Sequence, residues 1–314
     1  MGALARGPWL LPLVFGALAL LSLVLTPFLV YLLTVILARG LVVLGLLILW
    51  RTGLMSFGQA LYFGVGAYAV GLAEKYWGLR DAFALLALAL AASAAMALVL
   101  GWLLRQYRDI YFAMLSLAFS MILYGTLVKS RVLGSTDGFT VPAPHFLGWA
   151  PGPALAMHAL LLLTVAAASL GSFLAARYLA SPMGHLTTAI RDNEIRVEYL
   201  GYPVRRAIHV KYVFAAMLAG AGGALVALAV GHIDPDMTYW TTSGEFVFIT
   251  ILAGPGSVLA PFLGAAIFEA VRTYATAYAP YSWQMVLGIC LLLLILFLPR
   301  GVWSLFGARR RAAP

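Results

Sequence analysis

The chain has 314 residues, 63% of them hydrophobic and only 10% charged. Soluble domains run near a quarter charged, so most of this surface meets lipid rather than water. A net charge of +9 would suggest nucleic acid in a soluble protein, but here the arginines fall in short loops between apolar runs, where they set membrane topology; the single cysteine, Cys290, excludes an internal disulfide.

About 20 apolar residues cross a hydrocarbon core roughly 30 Å thick. Apolar runs at 9–25, 28–49, 54–73, 82–104, 110–128, 154–178, 209–231, 244–254, 257–272 and 283–298 therefore predict an all-α polytopic membrane protein of about ten segments. A single transmembrane domain over 1–314 is expected. The first run follows Arg6 and ends without a small-x-small cleavage pattern, so it reads as an uncleaved helix; Arg6 also spoils a myristoylation signal. In the second run Arg39 lies deep within a span, where an ionisable group is expensive and marks a helix break or a partner contact. In the third, Ser56, Gln59 and Tyr62 recur three apart among glycines, and in the fifth Ser116 and Ser120 lie one turn apart. Both sets suit either hydrogen bonds between packed helices or a pathway for a small polar solute.

The loop at 129–153 is rich in Gly and Pro and carries Asp137; the loop at 232–243 carries Asp234 and Asp236. His232, Asp234 and Asp236 flank Pro235 and read as turn chemistry, so no metal is expected. Glu245 follows Ser243-Gly244, where an acid either caps the positive end of a helix or contacts solute. The runs at 244–254 and 257–272 are short and joined by AGPGS, which predicts half-length or re-entrant helices. Glu269 and Arg272, three apart on one face, can satisfy each other. SFGQALYFGVGAYAVG at 56–71 and SVLAPFLGAAIFEAV at 257–271 share glycine punctuation, consistent with close helix packing or with a duplicated half-fold.

Between the sixth and seventh runs, the stretch 181–206 gathers ten ionisable side chains in a chain otherwise starved of them. Leu186, Ala189, Ile190, Val197 and Leu200 recur at helical spacing with charges between them, predicting a short amphipathic helix that ends at Gly201 and Pro203. Its mixed signs, Arg191, Asp192, Glu194, Arg196 and Glu198, suit a protein groove better than an anionic lipid surface. Placing 179–208 in the cytoplasm puts fourteen Lys and Arg inside and five outside, with Arg39 inside a span. Both termini are then cytoplasmic, and the loops at 129–153 and 232–243 face outward.

The same stretch resembles the coupling loop of LivM-type permease subunits of branched-chain amino acid ABC importers, a family that also takes in urea and amide permeases. Ser181, Pro182 and Gly184, then Arg191, Asp192, Asn193, Glu194 and Ile195, then Gly201 and Val204 fit its pattern. Further matching blocks are TGLMSFGQALYFGVGAYAV from Thr52, STDG at 135–138, AGPGSVLAPFLGAA at 253–266 and LPRG at 298–301, in the family's order over nearly the whole chain. Gln59 replaces a frequent His, Arg51 a more usual aromatic, and Ala253 and Pro255 alter a Gly-Gly-x-Gly-Ser turn.

The resemblance implies a permease subunit in a bacterial or archaeal cytoplasmic (inner) membrane, paired with a second, LivH-like permease. Two ATPase subunits would dock on Gly184, Arg191, Asp192, Asn193, Glu194, Ile195 and Gly201, and an extracytoplasmic solute-binding protein would meet Asp137, Asp234 and Asp236. Ser56, Gln59, Tyr62, Ser116, Ser120 and Glu245 are its candidate pathway residues. No cofactor is expected beyond ATP bound by partners, because the chain lacks a Gly-x-x-x-x-Gly-Lys-Ser/Thr loop. The alternatives are an ion-gradient-driven secondary transporter using Glu245 or Glu269, or an importer of urea or short amides. A membrane enzyme is the weaker class, since no catalytic constellation gathers on one face.

Overall fold

The computed structural model describes residues 15–18, 25–278, 280–298 and 301–307. Most of the first apolar run, Arg6, Arg300 and the arginines at 309–311 lie outside them. In chain order the named helices are α1 (Pro27–Trp50), α2 (Gln59–Trp77), α3 (Ala82–Leu104), α4 (Asp109–Lys129), α5 (Pro153–Ala180), α6 (Pro182–Asp192), α7 (Glu194–Tyr199), α8 (Val204–Val230), α9 (Trp240–Ala253), α10 (Ala260–Tyr278), α11 (Trp283–Phe297) and α12 (Ser304–Gly307). Five of these, α1, α3, α4, α5 (from Leu155) and α8, are long and apolar enough to cross a membrane. The chain is an all-α polytopic membrane protein, its only named strands among the described residues being Phe139–Thr140, which pairs with His232–Ile233.

Helix α8 is the hub, packing against α1, α2 and α3. Its stretch VFAAMLAGAGGALVALAV lets other backbones approach, as small residues must where lipid supplies no hydrophobic drive between helices. A Cβ on Gly223 would fall 1.8 Å from the carbonyl oxygen of Phe63, one on Gly222 2.5 Å from that of Ala38, and one on Gly220 1.9 Å from Ser93 Oγ. One face of α8 thus touches α2, another α1 and a third α3. The crowding is mutual, since a Cβ on Gly66 of α2 would meet the Gly220 carbonyl oxygen at 2.0 Å. Helix α1 is 89% buried within its most apolar window, whereas α3 and α4 are 22% buried there, so α1 lies inside the bundle and α3 and α4 present their flanks to the surroundings.

The broken element differs from the sequence expectation. Of the two runs around AGPGS, α9 is short, with 14 residues or about 21 Å. Helix α10 has 19 residues, as many as α2, and is no half-helix. The dipping backbone lies instead just before α9. Residues 232–239 descend along α2, with Ile233 beside Gly71 and Thr238 beside Gly64, seven residues or about 10 Å further down. Thr238 is fully buried there and its carbonyl accepts from Ser120 Oγ at 2.7 Å, so the irregular backbone is satisfied by protein rather than left to lipid. Apolarity marks 244–254 because the descending segment itself, HIDPDMTY, is polar and shows no apolar run.

The likeness between 56–71 and 257–271 extends to local geometry. Each turn places a serine three residues before its helix, and that serine's Oγ accepts from the amide two residues on, Ser56 from Gly58 and Ser257 from Leu259, both at 3.2 Å. The two turns are neighbours, because the Arg51 guanidinium donates to the Pro255 carbonyl.

Replacing Gly223 by Leu should abolish assembly of the bundle, since its side chain would displace the α2 backbone at Phe63. Gly244, which has open space where its Cβ would be, should accept Ala with little change. Detergent melting and size-exclusion profiles of the two variants check the contrast.

Candidate functional site

The buried charges converge. Arg39, midway along α1, places Nη1 3.0 Å from Glu245 Oε2 on α9 and 2.8 Å from Glu269 Oε1 on α10, while Arg272 Nη1 lies 3.5 Å from Glu245 Oε2 and 3.9 Å from Glu269 Oε1. Two guanidiniums and two carboxylates cancel. Arg39 and Glu269 are 9% and 5% exposed, a depth at which an unpaired charge would be prohibitive, so the quartet is also a tie between α1, α9 and α10. Arg39 therefore marks no helix break, since α1 runs on from Pro27 to Trp50. Glu269 meets Arg39 more closely than Arg272, the neighbour that spacing alone suggests. Glu245 has an ion-pair partner 206 residues away in sequence, and because α9 already begins at Trp240 it stands in the second turn and does not cap the helix start.

Three of the four, Arg39, Glu269 and Arg272, line a cavity of about 550 Å³ together with Asp234, Asp236, Thr242, Thr273 and Thr276 and with the apolar Val35, Phe63, Val226 and Val230; Glu245 does not reach it. Asp234 and Asp236, expected on an outer loop, sit in this cavity because the 232–239 segment descends. Asp234 also accepts from the Met237 amide at 3.2 Å, closing the helical turn at 235–238. Asp137 remains exposed on its loop and does not line the cavity. The cavity lies toward the end of the bundle where α1 and α9 begin and α10 ends, opposite α6 and α7.

The other expected pathway residues form a separate, closed network. Ser56, Gln59, Tyr62, Ser116 and Ser120 are all at most 1% exposed, and none lines the 550 Å³ cavity. Ser116 Oγ accepts from the Phe57 amide at 3.1 Å and donates to the Ala113 carbonyl, and Ser243 Oγ accepts from the Ala60 amide. The Tyr62 and Tyr212 hydroxyls lie 3.1 Å apart. These bonds stitch the entry of α2 to α4, α8 and α9; the Gln59 carbonyl oxygen is buried without a partner. In this conformation the packing role is the one the geometry displays. Lys211, counted by sequence as a topological charge, is wholly buried, with Thr52 Oγ1 3.4 Å from its ammonium.

At the opposite end, the stretch expected as one amphipathic helix is two. Asn193 leaves the helical region, and its Oδ1 caps α7 by accepting from the Arg196 amide at 2.9 Å. Ile190 and Val197 are buried, but Leu200, which follows the last residue of α7, is 70% exposed. Gly184 is there for space, since a Cβ would meet the Tyr178 and Leu179 carbonyls at 2.3 and 2.5 Å; Gly201 is there for its φ of +83°. Arg191, Asp192 and Asn193 are exposed, as are Ile195 and Tyr199. Glu194 is not the exposed acid that the pattern suggests. Arg108, at the start of α4, grips it with Nε at 2.7 Å from Oε2 and Nη2 at 2.6 Å from Oε1, so the carboxylate fastens α7 to the bundle.

A multi-helix bundle with a polar cavity above buried, mutually neutralised charges, and a small two-helix platform at the opposite end, defines a polytopic transport protein. The chain belongs to the family described as the branched-chain amino acid transport system permease component, which it matches over residues 28–297. Among curated proteins it is similar to the high-affinity branched-chain amino acid transport system permease protein LivM of Escherichia coli K12, at 27% identity over 291 residues, or 85% of this chain and 67% of that one. The Salmonella typhimurium LT2 protein of the same name is 28% identical over the same shares. No solved structure matches the chain.

Reversing Glu194 to Arg would set two guanidiniums together and remove two charge-assisted hydrogen bonds, each worth about 1.5–3 kcal/mol when sheltered and less here because both side chains are about a quarter exposed. The single variant should melt earlier, and the exchanged pair Arg108→Glu with Glu194→Arg should recover most of the loss, as thermal denaturation in detergent would report.

Proposed function

We propose that this permease is one half of the membrane channel of an ATP-binding-cassette importer for branched-chain or other hydrophobic amino acids. The observation that carries the reading is the family match across 28–297, supported by an exposed two-helix platform at one end and a solute-sized cavity at the other. The second half would be a LivH-like permease. Two ATPase subunits in the cytoplasm would seat on α6 and α7 at Arg191, Asp192, Asn193 and Ile195, with Gly184, Glu194 and Gly201 holding the platform's shape. An extracytoplasmic binding protein would deliver solute at the face bearing Asp137 and the cavity mouth with Asp234 and Asp236. Both termini would then lie in the cytoplasm of a bacterium or archaeon, as the Lys and Arg asymmetry favours.

The mechanism follows from that arrangement. Closure of the ATPases on ATP moves the platform, and because Arg108–Glu194 binds α7 to α4 while Val204 and Ala207 bury the start of α8, that motion passes into the bundle. The buried serines between α2, α4 and α9 are where helices would slide as the cavity changes sides. This chain supplies no phosphate-binding loop, so ATP would be bound and hydrolysed by the partners.

In vesicles containing both permeases, the ATPases and the binding protein, leucine uptake should require ATP and persist when a protonophore collapses the proton gradient. Uptake without the ATPases, or abolished by the protonophore with ATP present, would instead establish an ion-driven carrier working through the buried carboxylates.

A further inference from the structure

A second cavity lies on the flank of the bundle, apart from the charged quartet. It encloses about 250 Å³ between α2, α3 and α4, with Val65, Leu72, Ala92, Leu123, Leu127 and Leu133 in its wall and no charged side chain. The gap is there because α3 and α4 scarcely touch each other, although each packs on α2. Both helices are only 22% buried in their most apolar windows, so the cleft between them opens toward lipid. Water does not fill such a space, since apolar walls offer it no hydrogen-bond partners. A helix is too large for it, because one turn about 10 Å across and 5.4 Å long takes roughly 420 Å³. A single hydrocarbon chain fits.

One end of the cleft is basic. Lys75 stands one turn beyond Leu72 on α2 and donates to the Val132 carbonyl at 3.1 Å, which holds it over the loop that carries Leu133. Arg131 lies in the same loop between Leu127 and Leu133, exposed and without an ion-pair partner among the described residues. Of the nearby acids, Glu74 is paired with Arg80 at 3.4 Å, which leaves the exposed Asp137 against Lys75, Lys129 and Arg131. The balance is positive. Tyr76 and Trp77, 56% and 72% exposed at the end of α2, mark this level as the membrane interface, where such aromatics collect. Basic side chains above an apolar cleft at that depth match the two ends of an anionic phospholipid.

We propose that this cleft is a binding site for one acyl chain of an anionic membrane phospholipid, whose phosphate lies on Arg131 and Lys75. The site is distinct from the solute cavity and does not depend on what the protein transports. A seated chain bridges α3 and α4 and presses α4 toward the descending segment. Helix α4 already meets that segment through Ser120, bonded to the Thr238 carbonyl, and through Tyr124, whose ring centroid is 4.7 Å from that of Tyr239. The lipid therefore steadies the backbone that carries Asp234 and Asp236.

The test is lipid retention by the full-length chain, purified in detergent, stripped of endogenous lipid and titrated with palmitoyl-oleoyl phosphatidylglycerol or with phosphatidylcholine of the same chains. Bound lipid is counted by native mass spectrometry while melting is followed in parallel. A phosphatidylglycerol molecule should be retained at least about fivefold more tightly than phosphatidylcholine, the factor that one basic side chain near a membrane surface gives an anionic lipid, and should raise the melting temperature. Arg131→Gln combined with Lys75→Gln should erase that preference while phosphatidylcholine still binds. Ala92→Phe, which fills the cleft, should abolish retention of both lipids. Arg131→Gln alone alters only an exposed side chain, so it decides the matter if Ala92→Phe does not fold, and a preference unchanged in that variant overturns the site. Equal retention of the two lipids by the wild type, or retention undiminished in a folded Ala92→Phe, overturns it as well. Loss of the bound lipid on addition of a second permease subunit does the same, since the cleft is then covered by protein.

Discussion

Four charged side chains, Arg39 and Glu269 buried and Glu245 and Arg272 half-buried beside them, have to neutralise one another, and that requirement fixes how α1, α9 and α10 meet. Removing one partner from such a set strands a charge at a cost of about 3–5 kcal/mol, so helices that carry the set cannot drift apart independently. Arg39 stands at the centre, reaching carboxylates on two helices that follow it by more than 200 residues. The cavity lies between the descending segment at 232–239 and the C-terminal half of α10, with Arg39, Glu269 and Arg272 in its lining. A rigid, charged floor beneath a wettable cavity suits a membrane protein that handles a polar solute.

The second constraint is steric. Lipid tails are as apolar as leucine side chains, so helices gain little from hiding apolar surface from one another and depend on close contact instead. Helix α8 answers with Gly220, Gly222 and Gly223, each against a different neighbour. Because α8 also starts beside α7 and ends beside the strand pair at 232–233, it joins platform, core and cavity mouth. Movement of the platform thus has a direct material route to the cavity, through a helix whose crowded glycines permit sliding more readily than separation.

Much of this was legible in the sequence. The run at 82–104 became α3 with the same boundaries, and the apolar pattern placed α1, α4, α5 and α8 within a few residues, since hydrophobicity over some twenty positions is a strong signal. Glycine punctuation foretold close packing, and the blocks from Thr52 and from Ala253 carried the family. The pairings were not legible, because they join residues far apart: Glu194 finds Arg108 across 86 positions, and no local pattern marks it as taken. Glu269 read locally belongs to Arg272, but in three dimensions Arg39 is closer. Asp234 and Asp236 looked like outer-loop acids because a segment that dips into the bundle need not be apolar when protein, not lipid, surrounds it. The scarcity of charge was itself the available clue. Three of the quartet, Arg39, Glu245 and Glu269, are among the few ionisable residues inside apolar runs, and grouping those first would have suggested that they meet.

The central claim is that the quartet behaves as one neutral unit. A double-mutant cycle in melting free energy, comparing Arg39→Leu, Glu269→Leu and the two together in the purified chain, tests it most directly. Each single change strands an opposite charge, whereas the double change leaves Glu245 and Arg272 to pair with each other. The account predicts that the double variant loses far less stability than the sum of the singles, and less than either alone. Additive losses would contradict it, showing that Arg39 and Glu269 act independently and that the charges do not hold the three helices together.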